Sequence, residues 1–172
     1  MGRFARRDEG AAAIEFAIVA APFMALLFAI METALVFFAG QTLETAAADS
    51  ARLILTGQAQ TQGLTLNTFK DAVCSRIYGV FDCKNGVYVD VKTYANFSSV
   101  DMSEPIDQNG NLQNNFTYTP GGPCDIVVVR LMYQFPTFSS LLGFSLADLA
   151  GGKRLLVATS VFRNEPYLGS CS

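Results

Sequence analysis

From Ala11 to Met31 the chain runs for 21 residues with one charge, Glu15. As a helix, at about 1.5 Å per residue, this run is about 31 Å long. That matches the roughly 30 Å of hydrocarbon in a bilayer. An apolar run of about 18 residues or more reads as a membrane span, and every later element has to be placed relative to it. The apolar region of a secretory signal is usually about 7–15 residues, shorter than this one. An Ala-rich stretch at Thr45–Ala51, TAAADSA, keeps open a removed signal and an exported soluble chain. Pro22 lies inside the run and should kink or loosen the helix. Glu32 follows at the far end, near the second interface, where it needs no special account.

Flanking charge orients the span. Arg3, Arg6 and Arg7 precede it, and no Lys or Arg occurs between Glu32 and Ala51. The excess of cations predicts a cytoplasmic N-terminus, with everything after Met31 carried across. Charged residues make up only 16% of the chain, below the roughly 25% of soluble domains, and the deficit lies in the apolar run. Net charge is −3 and no basic run follows the first ten residues, so nucleic acid is not an expected partner. The absence of histidine excludes a Ser-His-Asp triad and a His-ligated metal. Ser, Asp, Glu and Lys are scattered without a catalytic spacing, and no Gly-rich phosphate loop is present. No enzymatic activity, cofactor or metal is expected.

Glu15 is the anomaly of the span. A carboxylate in lipid costs roughly 3 kcal/mol unless it is paired or hydrated. It could lie at the cytoplasmic interface and stay hydrated. Alternatively, a cut after Gly10 would create an amine on Ala11, four residues before Glu15 and on the same helix face. In an oligomer the carboxylate could take the amine of a neighbour instead.

A short basic leader ending in Gly10, then four residues, then Glu15-Phe16 and a long apolar helix, resembles the class III signal of type IV pilin-like proteins. More narrowly, RRDEGAAAIEFAIVAAPF and the later TLETAAADSARLILTGQ resemble the TadE family. These are minor pilin-like pseudopilins of the tight-adherence, Flp-type pilus. VFRNEPY, Val161–Tyr167, is similar to the closing segment of that family. The stretch from about Gln58 to Gly152 matches no motif. The resemblance implies cleavage by a prepilin peptidase between Gly10 and Ala11, with the helix retained. Glu15 and Phe16 would then be the fifth and sixth residues, packing in the filament. It implies residues 1–10 as leader, 11–39 as the transmembrane half of the helix, and 40–172 as a periplasmic head that includes the distal half. Implied partners are the peptidase, other pilins and pseudopilins, the inner-membrane assembly platform and the lipid bilayer. The alternative is a membrane-tethered periplasmic binding or adhesive module that is not cleaved.

Helical patterning continues past the membrane, with Leu43, Ala47, Ser50, Ala51 and Ile54 on one face and Gly57 as a stop. This predicts one helix from about Ala12 to Thr56. A second helix is predicted over 66–79, capped by Asn67 and closed by Gly79, with Phe69, Val73 and Ile77 on one face. Strands are predicted over 87–95, 125–135 and 155–163, with Asn85-Gly86 as a turn. A short helix is predicted within 138–149. The polar stretch 98–123 reads as a surface loop, and DQNGN, Asp107–Asn111, as a turn and not a calcium loop. The fold class is α+β, a small antiparallel sheet of three or four strands packed on the distal half of the long helix.

Four cysteines lie beyond the span, on the side where disulfides persist. Three pairings are possible. The pair closest in sequence is Cys74–Cys83, which leaves Cys124–Cys171. Arg163 and Glu165 alternate at strand spacing, and a salt bridge to Arg52 or Asp49 on the long helix is expected.

Overall fold

The computed structural model describes residues 8–77, 79, 81–138, 146–167, 169 and 171. Helix α1 spans Asp8–Leu55, 48 residues and about 72 Å. Among the described residues it begins at Asp8, ahead of the predicted Ala12. The helix runs unbroken through Pro22. Two short helices follow, α2 (Gln58–Thr61) and α3 (Leu66–Cys74), then a single turn α4 (Cys83–Gly86). Strand β1 (Val87–Tyr94) leads through a 3₁₀ turn at Phe97–Ser99 to β2 (Ile126–Pro136) and β3 (Lys153–Arg163). The three strands form one antiparallel sheet in the order β1-β2-β3. The architecture is α+β, with the sheet laid on the distal half of α1.

The core explains why that half of α1 is rich in small residues. Ala39, Leu43, Ala46, Ala47, Ser50, Ala51 and Ile54 are all buried. Alanines let the helix axis approach the sheet, where Val87, Val89, Val91, Val127, Val129, Leu131, Leu156 and Ala158 face it. Ser50 satisfies its hydroxyl by donating to the Ala46 carbonyl at 2.6 Å. The period-2 pattern of β1 puts Val87, Val89 and Val91 on the helix side, as alternation dictates.

Helix α3 differs from its predicted bounds at both ends. Its cap is Thr65, not Asn67. Thr65 and Thr68 each accept the other's backbone amide in a reciprocal cap. It ends at Cys74, not at Gly79. The chain turns there and brings Cys83 back to Cys74, yet Ile77 stays buried with Phe69 and Val73. Asn85-Gly86 closes α4 instead of standing as a free turn, because the Asp82 carboxylate accepts the amide of Asn85.

The stretch 98–123 is more than a surface loop. It crosses the sheet face opposite α1 and builds a second core from Leu112, Met132, Leu149 and Leu155, edged by Tyr88, Ile106, Phe116 and Val157. Further on, residues 117–119 pair with the free edge of β1: the Val91 amide donates to Thr117 and the Thr119 amide to Val91, both at 2.8 Å. Asp90, on this second face, is buried; it accepts the Thr117 amide at 2.9 Å and pairs with Lys92 at 2.9 Å. Asp107–Asn111 is the expected turn, its carboxylate accepting the amides of Asn109 and Asn111. The Asn111 amide above all holds the Asp107 carboxyl below its usual range. Of the short helix predicted within 138–149, residues 139–145 lie outside the described residues. The described residues 146–149 form no helix, and Leu149 bridges to Lys153.

Candidate functional site

Helix α1 has two chemically different halves. From Ile14 to Phe38 every large apolar side chain but Val36 is exposed; Phe16 is 74% exposed. From Ala39 onward one face is closed under the sheet. No soluble helix gains by exposing so continuous an apolar surface, and such a surface marks lipid or another protein. The segment is long and apolar enough to cross a membrane once. Leu26, Ala29, Ile30, Thr33, Ala34 and Phe37 line a shallow apolar groove along it. Small residues at its floor would let a second helix approach closely.

The backbones of Gly10 and Ala11 lie in the first turns of α1. Glu15 is exposed on the same helix, and it makes no ion pair among the described residues. Phe16 stands beside it, also exposed. Among the described residues, no contact brings Glu15 and Phe16 to the head.

Glu32 needs the account that its position near an interface did not suggest. It is 8% exposed, and its carboxylate accepts the amide of Phe138 at 2.6 Å. The head therefore reaches down to α1 at residue 32. No local sequence pattern could have revealed this contact, since its partner is a backbone amide far along the chain.

At the opposite end of the head, the closing segment Val161–Tyr167 is a latch. Asn164 is buried, and its side-chain amide donates to the carbonyls of Pro120 at 3.0 Å and Gly122 at 2.8 Å. The Glu165 amide donates to Leu55 at 2.8 Å, satisfying a carbonyl left open at the end of α1. Tyr167 lies against Gly57, whose φ of +74° only glycine adopts readily, and a Cβ there would run into the ring. Among the described residues the salt bridge expected for Arg163 and Glu165 does not form. Arg163 donates instead to the Cys124 carbonyl at 2.8 Å, and Asp49 pairs with Arg76 at 3.7 Å. Cys124 reaches this position with a φ of +68°.

Disulfides join Cys74 to Cys83 and Cys124 to Cys171. The first ties the end of α3 to α4, and the second ties the chain beyond the latch to the start of β2. Among the described residues no cluster of His, Cys, Asp and Glu could hold a metal ion.

These features define a class before any comparison. It is a chain in which one helix serves as a membrane-compatible anchor at one end and as the spine of an α+β head at the other. Residues 10–52 match the family model described as TadE-like protein, so the resemblance carried by the N-terminal motifs is to the family that the match identifies. The latch lies outside the matched segment. No curated protein and no solved structure shows a significant match to the chain.

Proposed function

We propose that this chain is a membrane-anchored pseudopilin, a minor pilin-like component in the assembly of a tight-adherence pilus. A prepilin peptidase removes residues 1–10 by cutting between Gly10 and Ala11. The helix beyond Ala11 holds the chain in the inner membrane, with the leader cytoplasmic and the head periplasmic. During assembly the same helix leaves lipid and packs against other pilin-like helices, and the chain enters the filament or its base. It performs no catalysis of its own.

The observation that carries this reading is the division of α1. Its exposed apolar half and its buried, alanine-rich half belong to one continuous helix, and the TadE-like match covers both. A helix built this way can exchange lipid for neighbouring helices along Ile14–Met31 without disturbing the head, whose hydrogen bonds and core contacts with α1, among the described residues, begin at Glu32 and Val36. The apolar groove along Ala29 and Thr33 suits a neighbouring helix. The two disulfides suit a head folded on the oxidising side.

The test is the N-terminal residue of the mature protein, read by intact mass or by sequencing from the native membrane. Processing by the peptidase gives Ala11. Retention of Met1 or Gly2 indicates an uncut tethered module, and a start near Ala48–Asp49 indicates export with loss of the helix. Gly10→Val should leave the leader attached, since the peptidase must approach the backbone closely at that position.

A further inference from the structure

The two edges of the sheet differ. At Val91 on β1, residues 117–119 take the outer backbone groups, in hydrogen bonds of 2.8 Å. Those bonds fix which way each strand points its amides and carbonyls. Val91 turns its backbone groups away from β2, so its neighbour Val129 turns its own toward β3 and Ser160. The backbone groups of even-numbered β3 residues therefore point to β2, and those of odd-numbered residues point outward. The first outward groups agree. The Lys153 carbonyl accepts the Leu149 amide at 2.9 Å, and the Leu155 amide donates to the Asp148 carboxylate at 2.6 Å. Beyond Leu155 the edge is open: the outward amides and carbonyls of Val157, Thr159 and Val161 have no partner among the described residues.

Nothing in this edge discourages a further strand. Native edges are guarded by charge, proline or a bulge. Residues 155–162, LLVATSVF, contain no charged residue and no proline, and the register of β3 on β2 runs from Lys153 to Arg163 without a bulge. Val161 is 38% exposed. The strand also follows the helix. Arg154 lies with Thr33, Val36 and Phe37 of α1, and beyond Arg163 the Glu165 amide reaches Leu55. Strand β3 thus ascends beside α1, away from the apolar half.

We propose that the β3 edge at Val157–Val161 takes, by backbone pairing, an extended strand of a second, non-identical chain anchored in the same membrane. This rests on the reading of α1 as the membrane helix of a pilin-like chain. A second copy is the wrong occupant on three counts. Antiparallel pairing of β3 with its own copy would point the two α1 helices in opposite directions, which a shared membrane orientation forbids. Pairing with the β1 edge of a copy meets residues 117–119, which already occupy it. Parallel pairing of β3 with β3 sets Lys153, Arg154 and Arg163 beside their own copies, and like charges side by side are destabilising. The partner strand is therefore uncharged opposite Val157–Val161 and carries no cation beside Lys153 or Arg163.

The test uses the full-length chain in lipid nanodiscs. The probes are the other full-length chains of the same cell that share a leader ending in glycine with glutamate five residues on, added one at a time. One of them should bind and slow deuterium exchange at the Val157, Thr159 and Val161 amides. Thr159→Pro removes an outward amide and no bond to β2, at an edge position where proline is tolerated. It should weaken that binding roughly tenfold while both disulfides and slow exchange at Ser160 persist. Val161→Lys leaves every backbone bond in place, should weaken binding roughly fivefold, and decides the matter if the proline variant unfolds. Binding that ignores both substitutions would overturn the edge and leave the pilin-like reading standing. Slowed exchange at Val157–Val161 in the chain by itself, at rising concentration, would make a second copy the occupant and overturn the assignment. Failure of every probe to bind a chain whose mature N-terminus is Ala11 would overturn the edge alone. The same failure with Met1 or Gly2 at that terminus would remove the pilin-like reading with it.

Discussion

The backbone amide of Phe138 donates to the carboxylate of Glu32 at 2.6 Å, joining positions 106 residues apart. A carboxylate at the end of an apolar run is thereby removed from both lipid and water. Among the described residues this is the hydrogen bond between head and helix that lies nearest the start of α1.

Glu32→Ala removes the acceptor and leaves a part-buried amide without its partner. The expected cost is about 1–3 kcal/mol, with Glu32→Gln costing less because the amide oxygen still accepts. Denaturant unfolding of the solubilised protein measures the loss. Faster tryptic cleavage at Lys153 and Arg154 would show that the connection has come away from the helix. Equal stability of the three forms would mean that the bond holds nothing.

Gly57→Ala meets two obstacles at once. The backbone at φ +74° disfavours a side chain, and the new methyl would collide with Tyr167. Together these should cost about 2 kcal/mol or more. Adding Tyr167→Ala removes the collision but not the backbone strain, so the double variant should recover only part of the loss relative to Tyr167→Ala alone. Full additivity of the two changes, measured by thermal unfolding, would show that the ring and the glycine do not interact.

Tyr118 packs on Phe69 with ring centroids 5.4 Å apart, and its hydroxyl has no hydrogen-bond partner among the described residues. Burial pushes its pKa up to about 12 from an ordinary value of 10.0. The folded state thus favours the neutral phenol more than the unfolded state does. Its contribution is constant below about pH 10, declines as pH rises from 10 toward 12, and is lost above that. Tyr118→Phe should leave stability at neutral pH unchanged or slightly raised, since no bond is broken. It should also remove the latest-ionising phenol from an absorbance titration and flatten the alkaline fall in stability. A loss of more than about 1 kcal/mol at pH 7 would indicate a hydrogen bond at the hydroxyl.

Glu15 is exposed on the membrane half of α1 and lies four residues beyond the new amine that processing would create. If it neutralises that amine on a neighbouring helix, Glu15→Gln should preserve insertion, cleavage and both disulfides. Co-purification with partner pilins and surface piliation should be lost, because an unpaired ammonium among packed helices costs several kcal/mol, more than a hundredfold in association. Complementation with this single change, scored for processing, pull-down and pili, decides the matter. Normal pili would reduce Glu15 to a hydrated interfacial residue.

Periodicity carried much of the fold. The apolar run fixed the exposed half of α1. The spacing of Leu43, Ala47, Ser50, Ala51 and Ile54 fixed the face that the sheet covers, and alternation in VYVDV fixed which side of β1 meets the helix. Each is a local pattern, repeated every two or three to four residues, and local patterns are what a linear chain displays. The same N-terminal residues carry the TadE-like match.

What the tertiary structure decided depends on partners far apart in the chain. A polar stretch such as 98–123 looks solvated, yet Ile106, Leu112 and Phe116 suffice to hold it on the second face of the sheet and bury Asp90. Glu32 looks interfacial until the Phe138 amide arrives to meet it. Arg163 looks poised for a carboxylate but finds the Cys124 carbonyl, a backbone acceptor at 2.8 Å. Hydrogen bonds to backbone amides and carbonyls leave no trace in residue type, since every residue supplies those groups. Only the packed chain shows which of them come within reach.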